Sequence, residues 1–151
     1  MEAVPADLLQ RLPAARLAVD TGLLVLIWLV QLIIYPSFLY ADPERLVRWH
    51  GDYSGRISLV VVPLMLLQVA LIFAQLTTRP DPLVWTSAVL VAGCWLSTFF
   101  LSVPLHGRIG GGEIEASVLQ ALVDTNWPRT AAWSLCWLLS CLPLLRPTEL
   151  P

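Results

Sequence analysis

The feature that most constrains this chain is a set of four apolar stretches, at about residues 17–40, 57–76, 83–106 and 129–145, joined by connectors too short to hold a domain. A hydrocarbon core about 30 Å thick is crossed by about 20 mostly apolar residues in a helix, so each stretch is predicted to span a bilayer. Composition agrees: of 151 residues 57% are hydrophobic and 13% charged, and the mean hydropathy is +0.72, which leaves too little polar surface for a water-soluble domain. Strands are excluded because the runs are continuously apolar, whereas barrel strands alternate in shorter segments and must close to pair every backbone group. Short connectors force antiparallel neighbours. The fold class is therefore all-α: an integral membrane four-helix up-down-up-down bundle, one transmembrane domain over 1–151, with short interfacial helices on one face.

Charge and cysteine usage remove several function classes. The net charge is −2, with nine arginines and no lysine, so there is no basic stripe for nucleic acid. Cys94, Cys136 and Cys141 all fall in predicted spans without a CxxC spacing, which supports neither a disulfide framework nor a zinc site. The first sixteen residues mix Glu2, Asp7, Arg11 and Arg16 with Pro5 and Pro13, and read as a retained lead-in instead of a cleaved signal. Richness in Leu, Ala, Pro and Arg without Lys suggests a GC-rich genome, and the expected location is a bacterial cytoplasmic (inner) membrane, multi-pass.

Within the first span Pro36 is expected to loosen the last turn. Asp42-Pro43 reads as a helix start, and from there to Ile57 the pattern is amphipathic: Arg45, Arg48, Asp52 and Arg56 on one face, Leu46, Trp49, His50, Tyr53 and Ile57 on the other. Gly51 and Gly55 weaken the expectation of one unbroken helix into the second span. Gln68 at membrane depth needs a partner. After the Gly110-Gly111-Gly112 hinge, Glu113 to Asp124 suggests a short helix lying in the interface, and the fourth span opens at Asn126-Trp127-Pro128-Arg129-Thr130. No internal repeat argues for an inverted-repeat transporter.

Parity then places both histidines, His50 and His106, on one membrane face with Tyr35, Tyr53, Asn126, Trp127 and Arg129. The opposite face, with the termini and the turn at 77–82, is expected to hold little chemistry. Arginine counts are four on the termini face and five on the histidine face. Setting aside Arg56 and Arg129 as held in a site tips the balance to cytoplasmic termini.

Each candidate has a plain alternative. His50 and His106 are either interfacial polar side chains or parts of one site. With a carboxylate from Asp52, Glu113, Glu115 or Asp124 they could hold a non-haem metal, although no HxxxH or ExxH spacing fixes the geometry. Arg129 either snorkels to headgroups or meets an anion or carbonyl, since a cation at a helix N-terminus is unfavourable. Asn126 either caps that helix or donates an amide. Of the seven tryptophans, Trp49, Trp85 and Trp127 fit an interfacial belt, while Trp95, Trp133 and Trp137 either pack helices or wall a flat apolar pocket.

The elements Val103-Pro104-Leu105-His106 and Asn126-Trp127-Pro128-Arg129-Thr130 resemble those of the anthrone-oxygenase-like group of small four-helix membrane proteins, where a V-P-L-N/H element precedes a loop and N-x-x-R-T begins the last helix. The resemblance covers mainly the second half of the chain. It implies oxidation of a polycyclic anthrone to the anthraquinone without a cofactor, with His106, Asn126, Arg129 and Thr130 as the matching positions. The group often has asparagine where this chain has His106.

Two function classes follow. One is a membrane oxygenase or oxidoreductase acting on a lipophilic aromatic or quinone-like substrate, with His50, His106 and Tyr53 catalytic and Arg129, Asn126, Trp133 and Trp95 binding substrate. A general-base imidazole suits this role; no cofactor is required, while a non-haem metal or haem stays open. The other is a non-catalytic membrane subunit or assembly factor binding a larger complex, pigment, haem or lipid. Expected partners are the lipid bilayer, a lipophilic small molecule, and a homo-oligomer or membrane-complex partner.

Overall fold

The computed structural model describes residues 6–145, with the side chains of residues 10–143. These residues form four rods and no strand. The first rod comprises α1 (Ala6–Leu29), a π-helical turn at Val30–Ile34, and α2 (Tyr35–Phe38). The second is α3 (Pro43–Thr78). The third comprises α4 (Pro82–Ser97), a second π-helical turn at Thr98–Ser102, and α5 (Val103–Gly110). The fourth is α6 (Ala116–Leu145).

Local sequence sets these boundaries. Asp42 Oδ1 accepts from the Glu44 N–H at 3.0 Å, and Asp81 Oδ1 from the Leu83 N–H at 2.7 Å. Each caps a helix whose first residue is proline, where the missing N–H costs nothing. Gly112 has φ +95°, a conformation that a Cβ would strain, and it separates α5 from α6.

Three rods are long and apolar enough to cross a membrane: Gln10–Phe38, Pro43–Thr78 and Pro82–Gly110, with mean hydropathies of 2.3, 2.6 and 1.9. Among the described residues the fourth rod, α6, does not reach that measure. Arg129, its tryptophans and its prolines dilute its leucines, and four of its polar side chains, Asn126, Arg129, Thr130 and Ser140, are buried.

Two expectations are corrected. The segment from Glu113 to Asp124 is not a separate interfacial helix. From Ala116 it is the start of α6, and its Val118, Leu119, Leu122 and Val123 pack with Val30, Tyr35, Phe38, Leu46 and Ile109 in one core cluster. Likewise α3 passes Gly51, Gly55 and Pro63 unbroken for 36 residues, about 54 Å at 1.5 Å per residue. It therefore outreaches the hydrocarbon core, with Arg45, Arg48, Asp52 and Arg56 exposed on its overhang and Leu46 and His50 buried. Exposed Arg56 is not held in a site, so the arginine count no longer favours cytoplasmic termini.

The first rod packs mainly on α6 and α3, and α4 mainly on α6; of the neighbouring rods, α3 and the third touch least. Toward the termini the rods are joined by buried polar groups, where little chemistry was expected. Arg16 Nε meets Asp20 Oδ2 at 3.3 Å, its Nη1 donates to Gln75 Oε1 at 3.1 Å, and its Nη2 donates to Ser87. Gln68 donates to Asp20 Oδ1 at 2.7 Å and accepts from Trp133 Nε1 at 3.2 Å. Gln68 thus finds its partners in a network that spans all four rods.

Candidate functional site

The site lies toward the other membrane face. In each π turn the closing bond runs back five residues, from the Tyr35 N–H to the Val30 carbonyl and from the Val103 N–H to the Thr98 carbonyl. Two residues beyond each turn stands a proline, Pro36 or Pro104, with no N–H to offer the ladder. The loosening expected at Pro36 is thus a widened turn ahead of it, and π turns of this kind concentrate at functional sites. On the third rod the wide turn lets Thr98, Phe99, Ser102 and Val103 all face one cavity, followed a turn later by His106.

Three ring side chains from three rods form a hydrogen-bonded line. The Tyr35 hydroxyl is 3.0 Å from His106 Nε2, and His106 Nδ1 is 2.8 Å from His50 Nε2. The two imidazoles lie nearly parallel, with centroids 5.0 Å apart. When the Tyr35 hydroxyl donates to His106 Nε2, the His106 proton is on Nδ1 and is donated to His50, whose own proton then sits on Nδ1. That nitrogen is buried without a partner. Reversing every donor moves a proton along the same line, so the arrangement is able to pass a proton between Tyr35 and His50 through His106, with His50 at its end. Phe38 packs edge-on against His50, Tyr53 and Trp49, and Trp49 stacks on Tyr53.

Arg129 is 6% exposed and points inward. One terminal nitrogen donates to Asn126 Oδ1 and the other to Thr98 Oγ1, the latter at 3.2 Å. Asn126 is held in turn by donating to Gln31 Oε1 at 2.8 Å, which also accepts from Thr130 at 3.2 Å. The Tyr35 hydroxyl lies close to the guanidinium. Among the described residues no carboxylate is in ion-pair range of Arg129, and its Nε has no partner. A buried charge without a counter-charge is costly at membrane depth. The contrast with Arg16, which has Asp20, lies within the same molecule.

Arg129 forms part of the wall of a cavity of about 490 Å³ between the first rod, α3, the third rod and α6. Its polar lining includes Tyr35, Tyr53, Thr98, Ser102 and His106; the rest is mainly aliphatic and aromatic, including Met65, Trp95, Phe99 and Trp133. Three lining residues carry buried polar atoms without a hydrogen-bond partner: Trp95 Nε1, Ser102 Oγ and Arg129 Nε. The walls are thus short of acceptors.

Of the residues singled out from sequence, His106, Tyr53, Arg129, Trp95 and Trp133 line this cavity. His50 stands behind His106, and Asn126 stands behind Arg129. Asn126 is not a helix cap, because α6 begins ten residues earlier; it is an internal amide that orients the guanidinium. For the same reason the argument that set Arg129 at a helix N-terminus does not hold. Tyr35 and Thr98 were not among the site candidates. Asp52, Glu113, Glu115 and Asp124 are all exposed, and no group of three or more His, Cys, Asp or Glu able to hold a metal ion occurs among the described residues. The two histidines face each other instead of a shared third ligand.

No protein-family model matches the chain, and neither the characterised proteins nor the solved structures include a significant match.

Proposed function

We propose that the protein is a membrane-embedded oxygenase or oxidoreductase acting on a flat lipophilic molecule that carries a carbonyl or phenolate oxygen. The observation that carries this reading is Arg129: a buried guanidinium with no carboxylate partner among the described residues, at the wall of an apolar cavity that it shares with Tyr35 and His106, behind which stands His50. A substrate oxygen would supply the missing acceptor, and the apolar walls would hold its rings. The sequence resemblance to anthrone-oxygenase-like proteins points the same way, since His106, Asn126, Arg129 and Thr130 cluster around this cavity and its supporting amides.

For an anthrone, Arg129 holds the existing carbonyl oxygen, on which negative charge develops when a ring methylene proton is removed. The proton passes to the Tyr35–His106 pair and is shared onward with His50. The resulting electron-rich anion reacts with dioxygen; one oxygen atom becomes the new carbonyl and the other leaves as water. Asn126 and Thr98 fix the guanidinium plane so that it meets the oxygen without reorganising. In this reading the fourth rod crosses the bilayer with the other three, and the membrane is the bacterial cytoplasmic one.

The test is turnover of anthrone by protein reconstituted in lipid nanodiscs, followed as anthraquinone formation and oxygen uptake. Equimolar oxygen consumption, lost in Arg129→Gln and His106→Ala, is the expected result. Saturable binding without turnover would leave a ligand-binding membrane subunit, and the absence of both would refute the proposal.

A further inference from the structure

A second cavity, of about 710 Å³, continues the seam between α3 and α4 toward the termini face. Its α3 wall is Leu66, Val69, Ile72, Phe73 and Leu76, which begins one residue after Met65 of the first cavity. On the third rod Trp95 and Phe99 line both cavities. Its lining has no charged side chain, and Leu66, Phe73, Leu96 and Phe99 are more than half exposed on the outer surface of the bundle. The polar groups of the seam, by contrast, are gathered in the first cavity. The residues from Leu66 to Leu76 cover about 15 Å of helix rise.

Resting on the reading of the first cavity given above, we infer that the ligand is a single-tailed amphiphile, a quinone or phenol head bearing an alkyl or isoprenoid chain, whose head meets Arg129 and whose tail lies in the α3–α4 groove. Three features select this occupant over a bare ring system. The two cavities adjoin at Trp95 and Phe99, which line both. Polarity is divided along the seam, with acceptor-seeking atoms at one end and only carbon-rich side chains at the other. Finally, α3 and α4 pack least closely of the adjacent rods, so the groove opens sideways and a tail can enter from the bilayer without leaving hydrocarbon. A tail already dissolved in lipid gains little by hydrophobic transfer into such a groove. Tail position is therefore more diagnostic than affinity.

The experiment uses the full chain in nanodiscs and a benzoquinone carrying a decyl tail that ends in a diazirine. After photolysis, labelled positions are mapped by mass spectrometry. Label concentrated in the Leu66–Leu76 and Ala88–Leu96 segments, and reduced about tenfold by excess unlabelled decyl-quinone, is expected. Ala92→Trp, at an exposed position that tolerates bulk, removes that label while tailless quinone still binds; Ala88→Phe serves if the first variant does not fold. Label spread over the outer faces of α1 and α6, or not displaced by competitor, means ordinary lipid chains fill the groove and overturns the inference. Groove labelling that persists unchanged in Arg129→Gln would instead keep the tail site and reject the head site.

Discussion

His106 Nδ1 lies 2.8 Å from His50 Nε2, so the only two imidazoles of the chain share a single hydrogen bond and cannot both present a proton to it. His106 has no free ring nitrogen, because Tyr35 occupies Nε2. The group that meets a ligand in the cavity is therefore Tyr35 backed by His106, with His50 as the next station.

Removing His50 leaves His106 Nδ1 buried without a partner, at a cost of about 1–3 kcal/mol. The melting temperature of His50→Ala in detergent should fall, and the ring-nitrogen NMR signals of His106 should shift to those of a nitrogen lacking its bond. His50→Gln, whose amide can still reach His106, should recover part of both changes. Unchanged His106 signals in His50→Ala would break the relay.

Asn126→Asp is an isosteric change that places a carboxylate against Arg129. It supplies a counter-charge to Arg129 but loses the amide that donates to Gln31 Oε1 at 2.8 Å, so the two effects oppose and thermal stability should change little. The ligand, however, should bind about ten times more weakly or worse, given about 1.5–3 kcal/mol for a hydrogen bond to a charged group. A binding titration beside a melting curve reads both, and an affinity equal to the parent would show that Arg129 has no open acceptor demand.

Arg16 and Asp20 form the structural counterpart. Asp20→Ala or Arg16→Ala each strands a buried partner and should destabilise by about 3–5 kcal/mol, whereas replacing both with apolar residues of similar volume should cost much less. Unfolding in mixed micelles measures the double-mutant cycle; additive losses would mean the pair is not coupled.

Topology is checked by cysteine accessibility after the native cysteines are replaced. Positions 48, 111 and 124 should label from one side and position 80 from the other. Label on position 48 from the same side as position 80 would separate α3 from the arrangement described.

Much of the fold was legible because apolar run length and connector length are local properties. The face of Leu46, His50 and Tyr53 followed from a 100° repeat, and parity brought His50 and His106 to one end. Pairings that depend on tertiary structure were not legible. Arg16 reads as the end of a polar lead-in and Asp20 as a lone carboxylate at the start of the first span, because their partners Gln75 and Gln68 lie 59 and 48 residues away. Pro128 resembles a helix-opening proline, and this displaced the start of α6 and gave Asn126 the role of a cap. Tyr35 went unselected because nothing local distinguishes a tyrosine before proline from an interfacial anchor; only the approach of His106 does.

The central claim, that Arg129 awaits a ligand oxygen inside an apolar cavity, is tested most directly by titrating anthraquinone into nanodisc-reconstituted protein while following tryptophan fluorescence, since Trp95 and Trp133 line the cavity. The account expects saturable quenching in the parent and its loss in Arg129→Gln with helicity unchanged. Equal quenching in the two proteins would contradict it.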